Sequence, residues 1–160
     1  CIRDRGTAAL EFLSEVSDLD VIVTPVGGGG LLSGTSLVAR TLRPSARVVG
    51  GEPEAVDDAF RSIRDGKLHP AVAAPETLAD GLLTGLGERN FALLNGNVDI
   101  VTVTEDEIVA AARFFVERMK IVVEPSGAVS LAAIRKMNVS GTRVGAIVSG
   151  GNTDFRWLDR

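Results

Sequence analysis

Four short, β-branched apolar runs punctuate this chain, at residues 20–25, 47–52, 98–103 and 143–148, and helix-compatible segments lie between them. Ahead of the first run, residues 6–16 place Ala9, Leu10, Leu13 and Val16 on one helical face, with Thr7 expected to cap its start. A second helix is predicted over residues 31–42, ending before Pro44, and a short one over residues 53–64. Thr104-Glu105-Asp106-Glu107 has the order of a capping box and opens a helix to about Lys120; Pro125 starts another, from Glu124 to about Lys136. Residues 66–87 carry Pro70, Pro75, Gly81, Gly85 and Gly87 and read as an irregular loop, in which His69 is expected to be solvated. Strands joined through helices make parallel crossovers, so the expectation is an α/β fold: an open, mostly parallel sheet of about four strands with helices on both faces. Residues 1–160 are expected to form a single domain.

The first strand runs into the second helix through Gly27, Gly28, Gly29 and Gly30. Glycines between a strand and a helix let backbone N–H groups, together with the free N–H groups of the helix, converge on one anion, and a phosphate suits such a site. In open parallel sheets ligands collect at the carboxyl ends of the strands. The glycine run, Glu52 and Ser149 all stand at such ends, so one site drawing on all three is expected.

Composition narrows the partners. A net charge of −4 without a basic cluster argues against nucleic acid, and no apolar run approaches the length of a membrane span. One cysteine excludes an internal disulfide framework and a zinc cluster, and Cys1 is read as a boundary residue, not a nucleophile. A soluble, cytoplasmic protein with a small-molecule ligand is expected.

Taken in order, seven pieces of the chain resemble one family: Pro25-Val26-Gly27-Gly28-Gly29-Gly30-Leu31, Glu52-Pro53 with Asp57-Asp58, Pro75-Glu76-Thr77-Leu78-Ala79-Asp80-Gly81, Val103-Thr104-Glu105-Asp106-Glu107-Ile108, Glu117-Arg118-Met119-Lys120, Glu124-Pro125-Ser126-Gly127 and Ser149-Gly150-Gly151-Asn152. The chain is similar in them to the pyridoxal-phosphate enzymes of the threonine/serine dehydratase and serine racemase type. The resemblance implies that Gly27, Gly28, Gly29, Gly30 and Leu31 hold the cofactor phosphate. It further implies that Ser149 faces the pyridine nitrogen, that Gly81 lies beside the ring, and that Glu124 stands at the edge of the site. Glu52, the Val56 carbonyl and Asp58 match the family's divalent-cation positions, which implies Mg²⁺ or Ca²⁺. The two acids suit the positive start of a helix equally well.

The family's cofactor-bearing lysine lies in an upstream Ser-Phe-Lys-type segment that this sequence does not contain, and Lys67, Lys120 and Lys136 match non-catalytic positions. No catalytic residue is therefore assigned. The chain is expected to be the carboxyl-terminal part of such an enzyme and inactive alone. Dehydratase and racemase are not separated by these residues. A non-catalytic module that binds phosphate or assembles with a partner remains open, whereas a dinucleotide site is disfavoured because four successive glycines do not reproduce Gly-x-Gly-x-x-Gly. Apolar surface left by the missing part points to a homo-oligomer, most simply a two-fold dimer.

Overall fold

Four parallel strands form the sheet in the order β3-β2-β1-β4: β1 Val21–Pro25, β2 Arg47–Pro53, β3 Asp99–Val103 and β4 Val144–Ala146. The computed structural model describes residues 2–159, with side chains from residue 4 onward. β1 is buried along its whole length, which is why its sequence is a continuous apolar run and not an alternating one. Val21 pairs with Arg47 on one side and with Val144 on the other; Val49 of β2 pairs with Asp99 of β3. β4 is half the length predicted. Only Val144, Gly145 and Ala146 pair with β1, and Ile147 keeps a single bond from its N–H to the Val23 carbonyl before the chain leaves the sheet.

Both faces are covered, as expected. On one face, α6 (Glu105–Phe114) and α7 (Pro125–Lys136) pack over Val21, Val23, Val49 and Val103. On the other, α2 (Thr7–Glu15), α3 (Gly30–Leu42), α4 (Asp58–Asp65) and α5 (Glu88–Leu94) enclose Ile22, Val26, Val48 and Ile100. Adjacent residues Ile22 and Val23 thus feed opposite cores, and each fully buried side chain contributes roughly 1.5–3 kcal/mol by its transfer from water. No helix among the described residues is long and apolar enough to cross a membrane.

Thr7 does not cap α2. Its hydroxyl donates to the Asp4 carbonyl, because a short helix, α1 (Ile2–Arg5), precedes it and Gly6 continues with helical angles. Thr104 does cap α6, accepting from the Glu107 N–H while the Glu107 carboxylate accepts from the Thr104 N–H. The helix predicted to Lys120 ends at Phe114 and widens into a π turn, Phe115–Met119, after which Lys120 takes φ 60°. Residues 53–64 divide: Pro53 closes β2, a 3-10 turn covers Glu54–Val56, and α4 follows. Within the irregular segment 66–87 only Asp80–Leu82 is helical, and α5 beyond it was not foreseen.

The irregular segment is nonetheless anchored. The Glu105 carboxylate accepts from the Thr77 hydroxyl at 2.6 Å and from the Leu78 N–H at 2.8 Å, while the Gly81 N–H donates to Ser126 at 3.0 Å. His69 is held rather than solvated. Its Nε2 lies 2.8 Å from Asp65, and its N–H donates to Ser62.

Candidate functional site

The chain passes from β1 into α3 through a turn made by backbone alone. Gly29 stands at φ 84°, and a Cβ there would lie 2.5 Å from Leu86 Cδ1 and 2.9 Å from Asn90 Cβ. Glycine is required at this position by the left-handed backbone and by Leu86 and Asn90, not by a ligand's need for space. Gly30 differs: the nearest atom to a Cβ placed there is Arg5 Cγ at 3.8 Å. Residues 84–90 grip the turn from outside. The Gly28 N–H donates to the Thr84 hydroxyl at 3.0 Å, and the Gly28 carbonyl accepts from the Gly87 N–H at 3.2 Å and from Asn90 Nδ2. Gly28 therefore shapes the turn with its N–H already engaged. The Ser33 N–H bonds to Gly29, so the N–H groups of Gly30, Leu31 and Leu32 are the ones the first turn of α3 leaves without a helical carbonyl.

Gly30 and Leu31 edge a cavity of about 280 Å³ at the carboxyl end of the sheet. Gly27, Gly28, Gly29, Gly30 and Leu31 form one wall, Gly81 and Leu82 another, and Ser149 and Arg5 complete it. Sequence positions far apart thus meet, because β1 and β4 are neighbours and residues 80–82 are tied to α7 through Ser126. The cavity is open and is edged by the glycine turn at a helix start, the Ser149 hydroxyl and the Arg5 side chain, an arrangement suited to an anion.

Glu124 is not part of that wall. Its carboxylate accepts from the Asn152 N–H at 2.9 Å, and a Cβ at Gly150 would come within 2.5 Å of Oε1, so it lies against the loop that follows β4. Glu52 is not part of it either, which corrects the expectation of one site at three strand ends. It is buried, and its two oxygens accept from the N–H groups of Ala59 and Phe60 at 2.9 and 2.7 Å, at the start of α4. Asp58, also buried, accepts from the Leu86 N–H at 2.7 Å. Burial pushes Glu52 from its ordinary 4.5 up to about 8 against the pull of its two N–H donors, with the charges of Asp58 and Asp57 adding to the rise. Asp58 is raised by burial as well. Val56 is buried in the 3-10 turn between them. Among the described residues no group of three or more His, Cys, Asp or Glu side chains is disposed for a metal ion.

Sequence reasoning missed Arg5, Thr84 and Asn90. None carries a local signal, since each reaches the glycine turn only through the packing of α1, of the segment before α5 and of α5 itself.

The family model described as "Pyridoxal-phosphate dependent enzyme" matches residues 2–150. The chain is 46% identical to a serine racemase of Dictyostelium discoideum over 99% of its own length and 51% of that protein, and the solved structure of a serine racemase from that organism superposes with a TM-score of 0.89, covering 96% of this chain and 50% of that one. It is 45% identical to an L-threo-3-hydroxyaspartate ammonia-lyase of Saccharomyces cerevisiae, over 97% of this chain and 48% of the other. The structure of a T.th. threonine deaminase superposes with a TM-score of 0.91 at 42% identity, covering 96% of this chain and 59% of that one. The chain spans about half the length of the curated relatives it matches.

The acid at the end of β2 makes stability depend on pH without any ligand. Folded, Glu52 keeps its proton to about pH 8, whereas unfolded it releases it near 4.5, so between those values the folded chain binds more protons and its stability falls as pH rises. Asp58 acts in the same direction. Urea midpoints measured in EDTA from about pH 5 to about pH 8 are expected to decline, and Glu52→Gln, which is neutral throughout, is expected to flatten the decline. Equal slopes for the two proteins would exclude Glu52 as the source.

Proposed function

The chain belongs to the pyridoxal-phosphate dependent enzymes, and we propose that it forms the cofactor-holding part of an ammonia-lyase that converts a small hydroxy amino acid to a 2-oxo acid and ammonia. The observation that carries this reading is the shared cavity: the residues of the 27–31 turn, Gly81 and Ser149 line one space at the carboxyl end of the sheet. Relatives named as a hydroxyaspartate ammonia-lyase and a threonine deaminase support the substrate class. A serine-racemase-like activity is the second reading, favoured by the 46% identity to the Dictyostelium protein. In a protein that joins these residues to the family's lysine-bearing part, release of a 2-oxo acid from L-serine against formation of D-serine distinguishes the two.

The residues fit the cofactor. The turn of residues 27–31 would take the phosphate, with Gly30 and Leu31 N–H groups donating and the α3 dipole adding attraction. Gly81, whose missing Cβ makes room for Ser126, lines the cavity where the ring would lie. Ser149 would meet the pyridine nitrogen with a hydroxyl, which donates to a neutral nitrogen and does not hold it protonated as a carboxylate would. When bound, pyridoxal phosphate supplies an electron sink for bonds at the amino-acid α-carbon, and a hydroxyl partner makes that sink a weak one, which suits prompt elimination of a β-substituent. No catalytic lysine is assigned to this chain.

Glu52, Asp58 and the Val56 carbonyl form the second part of the reading. Two buried carboxylates, hard oxygen donors with acidic neighbours, suit Mg²⁺ or Ca²⁺, whose charge would relieve the burial that now keeps Glu52 protonated. We also read residues 1–160 as one α/β unit that self-associates. Leu10, Leu37 and Leu42 remain 48%, 39% and 50% exposed, and with Val38 and Leu93 they line an apolar groove between α2, α3 and α5 that a second copy would cover. A cytoplasmic setting fits a chain with one cysteine.

Three measurements test these readings. Calorimetric titration should show inorganic phosphate and pyridoxal phosphate binding to the chain, and Gly30→Val, whose side chain enters open space beside the turn, should weaken both by at least about tenfold; unchanged affinity removes the turn from the site. Millimolar Mg²⁺ or Ca²⁺ at pH 8 should raise the urea midpoint of the wild type and leave that of Glu52→Gln in place, and a shift shared by both would place the cation elsewhere. Sedimentation across a concentration series should reveal a dimer, which Leu37→Asp converts to monomer; a wild-type monomer at high micromolar concentration contradicts the groove as an interface.

A further inference from the structure

Arg5 enters the site by a route that the glycines of α3 make possible. A Cβ at Gly34 would lie 2.5 Å from the Gly6 nitrogen and 2.6 Å from the Arg5 carbonyl carbon, so the second turn of α3 admits the backbone of residues 5 and 6 only because position 34 has no side chain. Gly6 is buried in that contact. With its backbone pinned there, Arg5 runs beside the first turn of α3, its Cγ 3.8 Å from the Cβ position of Gly30, and its side chain lines the same cavity as residues 27–31 and Ser149.

Arg5 is the one charged side chain among the described residues that lines the cavity. That side chain makes no hydrogen bond or ion pair among the described residues, whereas Arg43 and Arg47, at the opposite, amino end of the strands, are paired with Asp20 and Asp99. Among the described residues no carboxylate lines the cavity; its remaining polar lining is backbone and the Ser149 hydroxyl. A guanidinium without a protein partner, held beside N–H groups that converge at a helix start, has the geometry and charge for a two-pronged contact with a phosphate.

We infer that Arg5 is a phosphate-binding residue of this site, adding a full positive charge to the backbone cradle. The inference rests on the reading of residues 27–31 as that cradle and extends it to a side chain outside the glycine turn. Its consequence is a division of labour. Backbone donors and the helix dipole supply direction and about half a unit of charge, while Arg5 supplies the charge that a dianion requires beyond it. Phosphate affinity should therefore depend on ionic strength more steeply than backbone donors alone would cause.

Titration of inorganic phosphate, and separately of pyridoxal phosphate, into the 160-residue chain tests this in wild type, Arg5→Gln and Arg5→Lys at low and high salt. Arg5→Gln is expected to weaken both ligands by roughly tenfold and to flatten the salt dependence, while Arg5→Lys, which keeps the charge and loses the fork, is expected to fall between. Circular dichroism and thermal midpoints of the variants should match wild type, since Arg5 is exposed and makes no bond whose loss would be felt. Wild-type binding with equal affinity and equal salt slope in Arg5→Gln would overturn the role of Arg5 and leave the cradle standing. Absence of phosphate binding by the folded wild type would overturn the cradle, and Arg5 with it. A loss in Arg5→Lys as large as in Arg5→Gln, with both variants folded and the salt slope unchanged, would mark Arg5 as a packing residue and not a phosphate contact.

Discussion

The turn from β1 into α3 governs the carboxyl end of this sheet. A chain leaving a central parallel strand must reverse onto a covering helix within a few residues, and here it does so with Gly29 in a left-handed conformation at 84°. Any side chain at that point would strike Leu86 and Asn90, so the turn, the segment before α5 and α5 itself are shaped around one another. Placement of the α3 N-terminus follows from it, and so do the direction in which its free N–H groups face and the position of the cavity between β1 and β4.

The second organising contact is between backbones. Gly34 allows α3 to touch the junction of α1 and α2 directly, as Gly51 allows α7 to approach β2, where a Cβ would meet Val129 and Ala133 within about 3 Å. Helices on both faces therefore sit close to the sheet and to one another, and the site inherits a rigid floor. The acids at the end of β2 belong to a separate arrangement. Glu52 caps α4 with two accepted N–H bonds, and the cost of burying its charge, not proximity to the cavity, is what distinguishes it.

Much of this was legible in the residues. The four strands announced themselves because both faces of a parallel sheet are buried, which leaves uninterrupted β-branched runs, and the capping box at Thr104 was local enough to read directly. The glycine turn, Gly81 and Ser149 were singled out in the sequence, and the structure brings all three to one cavity. What was not legible depended on neighbours. Thr7 has the chemistry of a cap and lost that role to the helix before it; Glu52 stood at a strand end yet turned toward α4. Arg5, Thr84 and Asn90 lie outside every motif, and only the fold sets them against the turn. The end of α6 escaped because nothing in Phe115, Val116 or Glu117 signals the wider turn that follows.

One consequence concerns residues 75–90, which the sequence presents as irregular. Their two ends hold different walls of the cavity: Gly81 is fastened to Ser126, whereas Thr84, Gly87 and Asn90 clasp Gly28. The strap carries few buried apolar side chains besides Ala79, Leu82 and Leu86, so its order rests on these polar fastenings. A molecule engaging both walls would close a loop of contacts through the strap, and the ordering entropy of one end would be shared with the other. In that sense the two ends of a ligand would be recognised as a unit, because each wall is tied to the other through the strap.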